Sequence, residues 1–265
     1  SVKNYSLQQN QSWQAFANTV ILGMLSISHL YVYPIKSLGG IELHSARLTD
    51  RGLEHDRRWM LVGDDNRFLT QREFPQMALL RTAIHANELT VYEKGNEADK
   101  ISVNLYPTGS ELTAVQIWDD VCDAIEIGSE ANEWFSKKLN MSCKLMYMPD
   151  VSKRRVDAGY ALNMEITGFS DAYPLLMIGQ ASLDDLNGRL EIPVPMNRFR
   201  PNIVFTGGTA FEEDTMQHFQ INGIDLYAVK PCARCVVTTT DQETGATAKE
   251  PLKTLASYRT ANNKV

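Results

Sequence analysis

Lys230-Pro231-Cys232-Ala233-Arg234-Cys235-Val236-Val237-Thr238-Thr239-Thr240-Asp241 is the stretch whose reading separates one class of fold from another. A C-x-x-C pair is shared by zinc sites and by redox pairs. A redox pair of the thioredoxin kind opens a helix after a strand. Here the second cysteine is followed by five β-branched residues, which predicts a strand over 236–240 with Cys235 at its start, facing a cleft. A structural zinc wants a second pair of ligands, yet Cys122 and Cys143 stand alone and none of the five histidines forms an H-x3–5-H pair. What remains open is a soft sulfur next to cations. The thiolate is the nucleophilic and metal-binding form of cysteine, and Arg234 lies between the two sulfurs with Lys230 just ahead.

Outward from this run the chain continues in short strands. Residues 25–34 alternate and are β-rich (Ile27, Leu30, Tyr31, Val32, Tyr33) until Pro34 forces a break. Residues 41–48 and 58–62 follow, and Gly63-Asp64-Asp65-Asn66 is a hairpin signal. Strands are expected over 88–92, 100–105, 112–117 and 122–127, a spacing that indicates an all-β sheet or small barrel. Two helices interrupt the pattern. One covers 130–139, with Ser129 as its N-cap and Trp134, Phe135 and Leu139 on one face. The other covers 180–190, with Ser182 capping its first turn and Leu183, Leu186 and Leu190 recurring at helical spacing. Strands resume over 202–205, 217–221 and 225–229. No strand is followed by a glycine-rich turn and a long helix, which excludes a doubly wound parallel sheet. The expected architecture is a β-rich α+β protein whose N-terminal β domain and mixed, cysteine-bearing domain divide near residues 150–155.

The chain has 265 residues, 43% hydrophobic and 22% charged, enough to bury a real core. Its net charge of −6 argues against general nucleic-acid or anionic-membrane binding. Four unevenly spaced cysteines do not make a disulfide framework, so a reducing cytoplasm is expected. The apolar run from Thr19 to Leu25 is too short to span a bilayer and lacks the basic start of a signal peptide. Residues 1–23 are rich in Gln, Asn and Ser and read either as an extension ahead of a start at Met24 or as an N-terminal helix over 12–22.

Four further clusters carry chemistry-bearing side chains. Tyr33-Pro34-Ile35-Lys36-Ser37-Leu38-Gly39-Gly40 presents a cation and a hydroxyl on a proline-fixed turn, with glycines that let amides approach a phosphate. His55-Asp56-Arg57-Arg58-Trp59, followed by Thr70-Gln71-Arg72-Glu73, reads either as a surface Arg-Asp pair or as inward arginines for an anionic ligand. Phe169-Ser170-Asp171-Ala172-Tyr173-Pro174 is a polar turn. Asn197-Arg198-Phe199-Arg200-Pro201-Asn202 alternates amide and guanidinium groups, which suit the edge of a nitrogen heterocycle.

Together and in this order, YPIKSLGG, DRRWMLV, LTQRE, FSDAYPL, ASLDDLN, RFRPNIV and KPCARCVVTTTD resemble the MOSC family. The likeness is strongest to members with an N-terminal MOSC β-barrel domain, such as the mitochondrial amidoxime-reducing component and its bacterial relatives. It spans residues 24–259. It implies an N-terminal extension (1–23), a MOSC N-terminal β-barrel domain (24–150) and a MOSC β-barrel domain with a few helices (151–265). The MOSC domain continues for some tens of residues past the Ser-Tyr-Arg segment in that family, so a C-terminal truncation is implied.

The resemblance further implies a molybdopterin-type molybdenum cofactor, with Cys235 as metal ligand and catalytic residue and Cys232 as a supporting neighbour. Lys36, Ser37 and Arg57 match positions that hold the cofactor's phosphate and pterin. Arg200 and Asn202 match the pair that meets the pterin from the other domain. Thr70, Arg72, Ser170, Asp171 and Tyr173 fall in pocket-forming segments. The implied reaction is two-electron reduction of small N-hydroxylated substrates, amidoximes or hydroxylamines. The C-x4-C-x2-C run of a plant-type ferredoxin domain is absent, so electrons are expected from a separate ferredoxin-, flavodoxin- or cytochrome b5-like donor. Two other functions share the pocket. One is sulfur transfer through a cysteine persulfide, for which the sequence holds no pyridoxal-phosphate lysine domain. The other is a non-catalytic cofactor carrier.

Overall fold

The computed structural model describes residues 5–8, 12–13, 25–260 and 265. The strand expected at 25–34 is Leu25–Val32, and its inward side chains Leu25, Ile27, Leu30 and Val32 are buried. It pairs antiparallel with Ile203–Thr206, from the far end of the sequence, which runs parallel to Met177–Gly179. Ile41–Leu43 and Ser12–Trp13 also pair with the first strand. Ala46, Leu53, Phe219, Ile221 and Ile224 close one core around this sheet. The two sequence halves therefore share a sheet, and residues just after Val32 enter the space between them.

Trp59–Val62, Lys144–Tyr147, Asp120–Glu126 and Thr113–Ile117 form a second, antiparallel sheet in that spatial order. A meander of Leu80–His85, Glu88–Glu93 and Asn96–Asn104 lies against it. Helix α1 (Ser129–Leu139) plugs the space between them. Its Phe135 and Leu139 join Trp59, Leu61, Leu89 and Leu145 in a second core. Trp59–Val62 is buried on both faces: Met60 and Val62 turn to a third cluster with Ile117, Met146 and Phe169. Burial on this scale, at about 25 cal/mol per Å² of apolar surface, holds the sheets in place. The fold is β-rich α+β, antiparallel apart from the one parallel pair between named strands.

Several local expectations are corrected. Residues 236–240 are not a strand: Val236–Thr239 is a 3-10 turn. The Thr238 hydroxyl donates to the Cys235 carbonyl at 2.9 Å and the Thr239 hydroxyl to the Val236 carbonyl at 2.7 Å. These local bonds to the third carbonyl back outcompete the β preference of the run. Ser129 does not cap α1; Gly128 does, at φ 135°, with no side-chain bond. Helix α2 (Gln180–Asn187) ends before Leu190, and Gly179, not Ser182, is its N-cap. The Ser182 hydroxyl instead donates to Glu213 at 2.8 Å and accepts the Phe211 amide at 2.7 Å. A third helix, α3 (Leu252–Tyr258), lies beyond the two that the sequence pattern predicts. The alternative of a helix over 12–22 falls outside the described residues except at Ser12–Trp13, which is extended. No helix among the described residues is long and apolar enough to cross a membrane.

Candidate cofactor site

Pro34 ends the first strand and turns the chain alongside Trp59. The Lys36 amide donates to the Trp59 carbonyl at 2.8 Å, the Arg57 amide to the Tyr33 carbonyl at 2.9 Å, and the Trp59 amide to the Pro34 carbonyl at 3.0 Å. Gly40 is needed here, because a Cβ would stand 2.5 Å from the Tyr33 ring. Lys36 and Arg57 thus leave one backbone junction. The Phe169 amide donates to the Arg57 carbonyl at 2.7 Å, and a Cβ on Gly168 would meet that same carbonyl at 2.7 Å, so the 168–171 turn can close on this junction.

Lys36 is buried, and its Nζ donates to the Phe169 carbonyl at 3.0 Å and to Asp171 Oδ1 at 2.5 Å. The same carboxylate oxygen accepts Trp118 Nε1 at 3.2 Å, and the Arg72 guanidinium lies 4.4 Å from the Trp118 ring centre. The Lys36 ammonium holds the Asp171 carboxyl well below the usual carboxylate range. Burial pulls Lys36 itself down, against which the Asp171 charge works. Hydrogen-bonding partners on both ions favour the paired, charged state.

On the other side of the junction, the Arg57 and Arg200 guanidinium carbons lie 4.3 Å and 4.2 Å from the centre of the Tyr33 ring. Arg57 donates to Asp56 Oδ2 at 2.6 Å, Asn202 Oδ1 at 3.1 Å and the Arg200 carbonyl at 3.1 Å. Asp56, 2% exposed, also accepts the Tyr33 amide at 2.8 Å. Asn202 is spent within the protein: its carbonyl accepts the Leu176 amide at 3.1 Å and its amide donates to the Tyr31 carbonyl at 3.2 Å. Arg200 differs, since its Nη2 is buried without a hydrogen-bond partner. Burial draws its pKa down to about 10, which leaves it protonated at neutral pH. Burial likewise pushes the Tyr33 phenol up to about 12. Ser37, Arg57 and Arg200 all have left-handed backbone (φ 68°, 46° and 54°), a conformation costing a non-glycine residue roughly 1–2 kcal/mol. Such outliers gather where geometry is imposed for function.

The cysteine run is tied to this junction from two sides. Arg234 Nη2 donates to the Phe199 carbonyl at 3.0 Å, one residue before Arg200, and Arg198 pairs with Asp241 at 2.7 Å. Buried Gln71 and Gln242 exchange amide bonds at 3.3 and 3.0 Å, and Gln71 Nε2 also donates to the Ser37 carbonyl at 2.6 Å. Cys235 is half-buried at the start of its turn, while Cys232 is exposed. Both neighbouring cations turn to aromatic rings: Arg234 to Phe199 and Lys230 to Tyr160. Among the described residues, no three His, Cys, Asp or Glu side chains gather as a metal site of their own.

The sequence-derived residues thus separate by task. Lys36, Arg57, Asp171, Arg200 and Asn202 share the junction. Ser37 is half-buried there and contributes its carbonyl to Gln71. The Thr70 hydroxyl accepts the Arg72 amide at 3.3 Å, and the Ser170 hydroxyl donates to the Tyr173 carbonyl at 2.8 Å, so both shape turns. Tyr173 faces Tyr160, ring centres 6.1 Å apart. Thr70 and Arg72 also line an open cavity of about 910 Å³ with Phe68 and Trp118. Sequence reasoning gave no role to the Tyr33 ring, to Asp56 as a buried counter-ion, or to Trp118. Tyr33 and Asp56 lie inside the quoted motifs, while Trp118 lies in none of them.

Lys36, Arg57 and Arg200 stand against the carboxylates of Asp56 and Asp171, one guanidinium nitrogen is unpartnered, and a half-exposed thiol sits on a tethered turn, a set of donors with the chemistry for an anionic group and for a thiophilic metal. A molybdopterin-type cofactor fits that donor set. The MOSC N-terminal beta barrel domain matches residues 24–142, and the MOSC domain matches residues 165–265. Mitochondrial amidoxime reducing component 2 of Rattus norvegicus is 34% identical over 246 residues, 88% of this chain and 72% of that protein. The chain belongs to the MOSC family. Mitochondrial amidoxime reducing component 2 of Homo sapiens is 32% identical over 244 residues, covering 88% of this chain and 72% of its own length. Mitochondrial amidoxime-reducing component 1 of Homo sapiens is 29% identical over 258 residues, 94% of this MOSC chain and 76% of that protein. A solution structure from Bordetella bronchiseptica overlaps 36% of this chain and 75% of its own at 18% identity and a TM-score of 0.31.

Proposed function

We propose that this MOSC protein is a molybdenum-cofactor-dependent reductase that removes oxygen from small N-hydroxylated compounds, amidoximes and hydroxylamines, with electrons from a separate protein. The observation that carries the reading is the orphaned, buried Nη2 of Arg200, beside Arg57 on the Tyr33 ring and one residue from the carbonyl that docks Arg234. A buried donor left unsatisfied costs about 1–3 kcal/mol, a cost that a bound anionic group removes. When bound, the cofactor supplies two-electron redox chemistry at its metal.

The chain's own residues bind, orient and shield. Cys235 would offer the thiolate ligand from the start of a turn whose backbone the Thr238 and Thr239 hydroxyls hold at the Cys235 and Val236 carbonyls. The metal's other ligands come with the cofactor. Lys36, Ser37 and Arg57 would meet phosphate and pterin from one side of the junction, and Arg200 and Asn202 from the turn just before Ile203–Thr206, with Asn202 acting through Arg57. Thr70, Arg72, Ser170, Asp171 and Tyr173 frame the pocket. Relatives named amidoxime reducing components support the reaction class.

One assay separates this from sulfur transfer and from cofactor storage: molybdenum analysis of cofactor-loaded protein with reduction of benzamidoxime by an artificial donor. Bound molybdenum with turnover is the expected result. Molybdenum without turnover would make the chain a carrier, and labile sulfur alone a persulfide protein.

A further inference from the structure

The 168–171 turn that reaches Lys36 is held by a buried guanidinium outside every quoted motif. Arg154 is 5% exposed and lies in the short strand Arg154–Arg155, at the division between the two sequence halves. Its Nη1 donates to the carbonyls of Gly168 at 3.0 Å and Ser170 at 2.6 Å, and its Nη2 to the carbonyl of Asp171 at 3.1 Å. Its Nε donates to Asp120 Oδ2 at 2.8 Å. The planar fork of arginine suits this convergence, since its donors leave in fixed directions.

Two features give the arrangement a direction. The carbonyls taken by Arg154 alternate with the groups taken by Lys36: carbonyls 168, 170 and 171 go to Arg154, while the Phe169 carbonyl and the Asp171 carboxylate go to Lys36 Nζ. Fixing one set fixes the other. Asp120 also belongs to the tip of a hairpin (Thr113–Ile117 paired with Asp120–Glu126) that carries Trp118, whose Nε1 donates to Asp171 Oδ1 at 3.2 Å. Trp118 has left-handed backbone at φ 52°, a conformation a bulky residue adopts only where its surroundings impose it. The hairpin tip therefore grips the turn twice, through Asp120 and Arg154 on the backbone side and through Trp118 on the carboxylate side.

We propose that Arg154, seated by Asp120, is the positioning residue of the Lys36 corner: it sets the 168–171 turn, and through it the place where the Lys36 ammonium meets an anion. The inference deepens the proposed function and rests on Lys36 facing the cofactor's phosphate end. A second lysine with little exposed side chain supplies the control. The Lys138 side chain on α1 is 9% exposed against 7% for Lys36, and it is paired with Glu93 and Asp99.

The test is competitive acetylation of the whole chain with acetic anhydride, read by mass spectrometry at both lysines, beside molybdenum content after loading. In Arg154→Gln, Lys36 labelling is expected to rise at least tenfold with Lys138 unchanged, and molybdenum content to fall. Asp120→Asn, which removes one charged acceptor and leaves the fork in place, is expected to give a smaller rise at Lys36 alone. It also stands in if Arg154→Gln does not fold. Continued protection of Lys36 in both folded variants would overturn the proposal. So would an equal rise at Lys36 and Lys138, which marks Arg154 as general structural support. Selective exposure of Lys36 with molybdenum retained would uphold the positioning role and remove Lys36 from the cofactor site.

Discussion

The two ends of the site are built differently. At the Lys36 end, the ammonium has a carbonyl and a carboxylate, the carboxylate has a second donor in Trp118, and the supporting Arg154 makes four hydrogen bonds. At the Arg200 end, a buried guanidinium nitrogen has no partner, and the thiol beyond it stands half-buried on a turn. The first end is satisfied by the protein itself and is preorganised. The second leaves a buried donor unsatisfied, which a molecule from outside the chain can complete. Substitutions at the closed end should therefore cost stability, and substitutions at the open end should cost binding.

The largest effect is expected at the cysteines. Cys235→Ser should abolish molybdenum ligation and reductase activity, because a hydroxyl replaces a soft thiolate poorly. Cys232→Ser should keep substantial activity, losing at most the ~10–100-fold of a supporting residue. Metal content and turnover of both variants decide this, and an equal loss would point to an exchanging pair instead. Between the two ends, Asp56→Ala leaves Arg57 as a buried charge without its counter-ion, which typically costs about 3–5 kcal/mol. Urea unfolding measures it, and a loss under 1 kcal/mol would contradict Asp56 as the counter-ion that holds the junction.

Arg200→Met sharpens the contrast. Cofactor retention should fall by about tenfold or more, the size of one lost charge-assisted contact. Stability should change by no more than about 1 kcal/mol, because the orphaned donor's cost disappears along with the stacking on Tyr33. A large loss of stability with retention intact would reverse the assignment. The smallest effect concerns His55, beside Trp59, where burial, with Arg58 and Arg47 adding to it, lowers the pKa from 6.5 to about 4. The unfolded chain therefore binds more protons between those values. The His55 contribution is fully present above pH 6.5 and is lost as the pH falls toward 4. His55→Phe should flatten the urea midpoint over that window, and an unchanged slope would place the titration elsewhere.

Much of this was legible in the sequence. Strands at 25–32, 59–62 and 113–126 follow from alternation and turn residues, and the motif order led to the family. What the residues could not reveal was long-range pairing. Leu25–Val32 lies beside Ile203–Thr206, across the division the sequence implied. That pairing brings Tyr33 and Arg57 to Arg200. Propensity failed at Val236–Thr239 because hydroxyl-to-carbonyl bonds three residues back are invisible to a β-branched count. Asn202 looked like a ligand-edge amide, yet its atoms bind Arg57, Leu176 and Tyr31. Arg154 carried no motif at all, because its partners are backbone carbonyls and those leave no trace in side-chain spelling.

The most direct test of the open-end account is a crystal structure of cofactor-loaded protein with anomalous data collected at the molybdenum edge. The account predicts one strong anomalous peak at bonding distance from Cys235 Sγ, with Arg200 Nη2 donating to the bound molecule. A peak bonded to Cys232 instead, or a loaded site in which Arg200 Nη2 still lacks a partner, would contradict it.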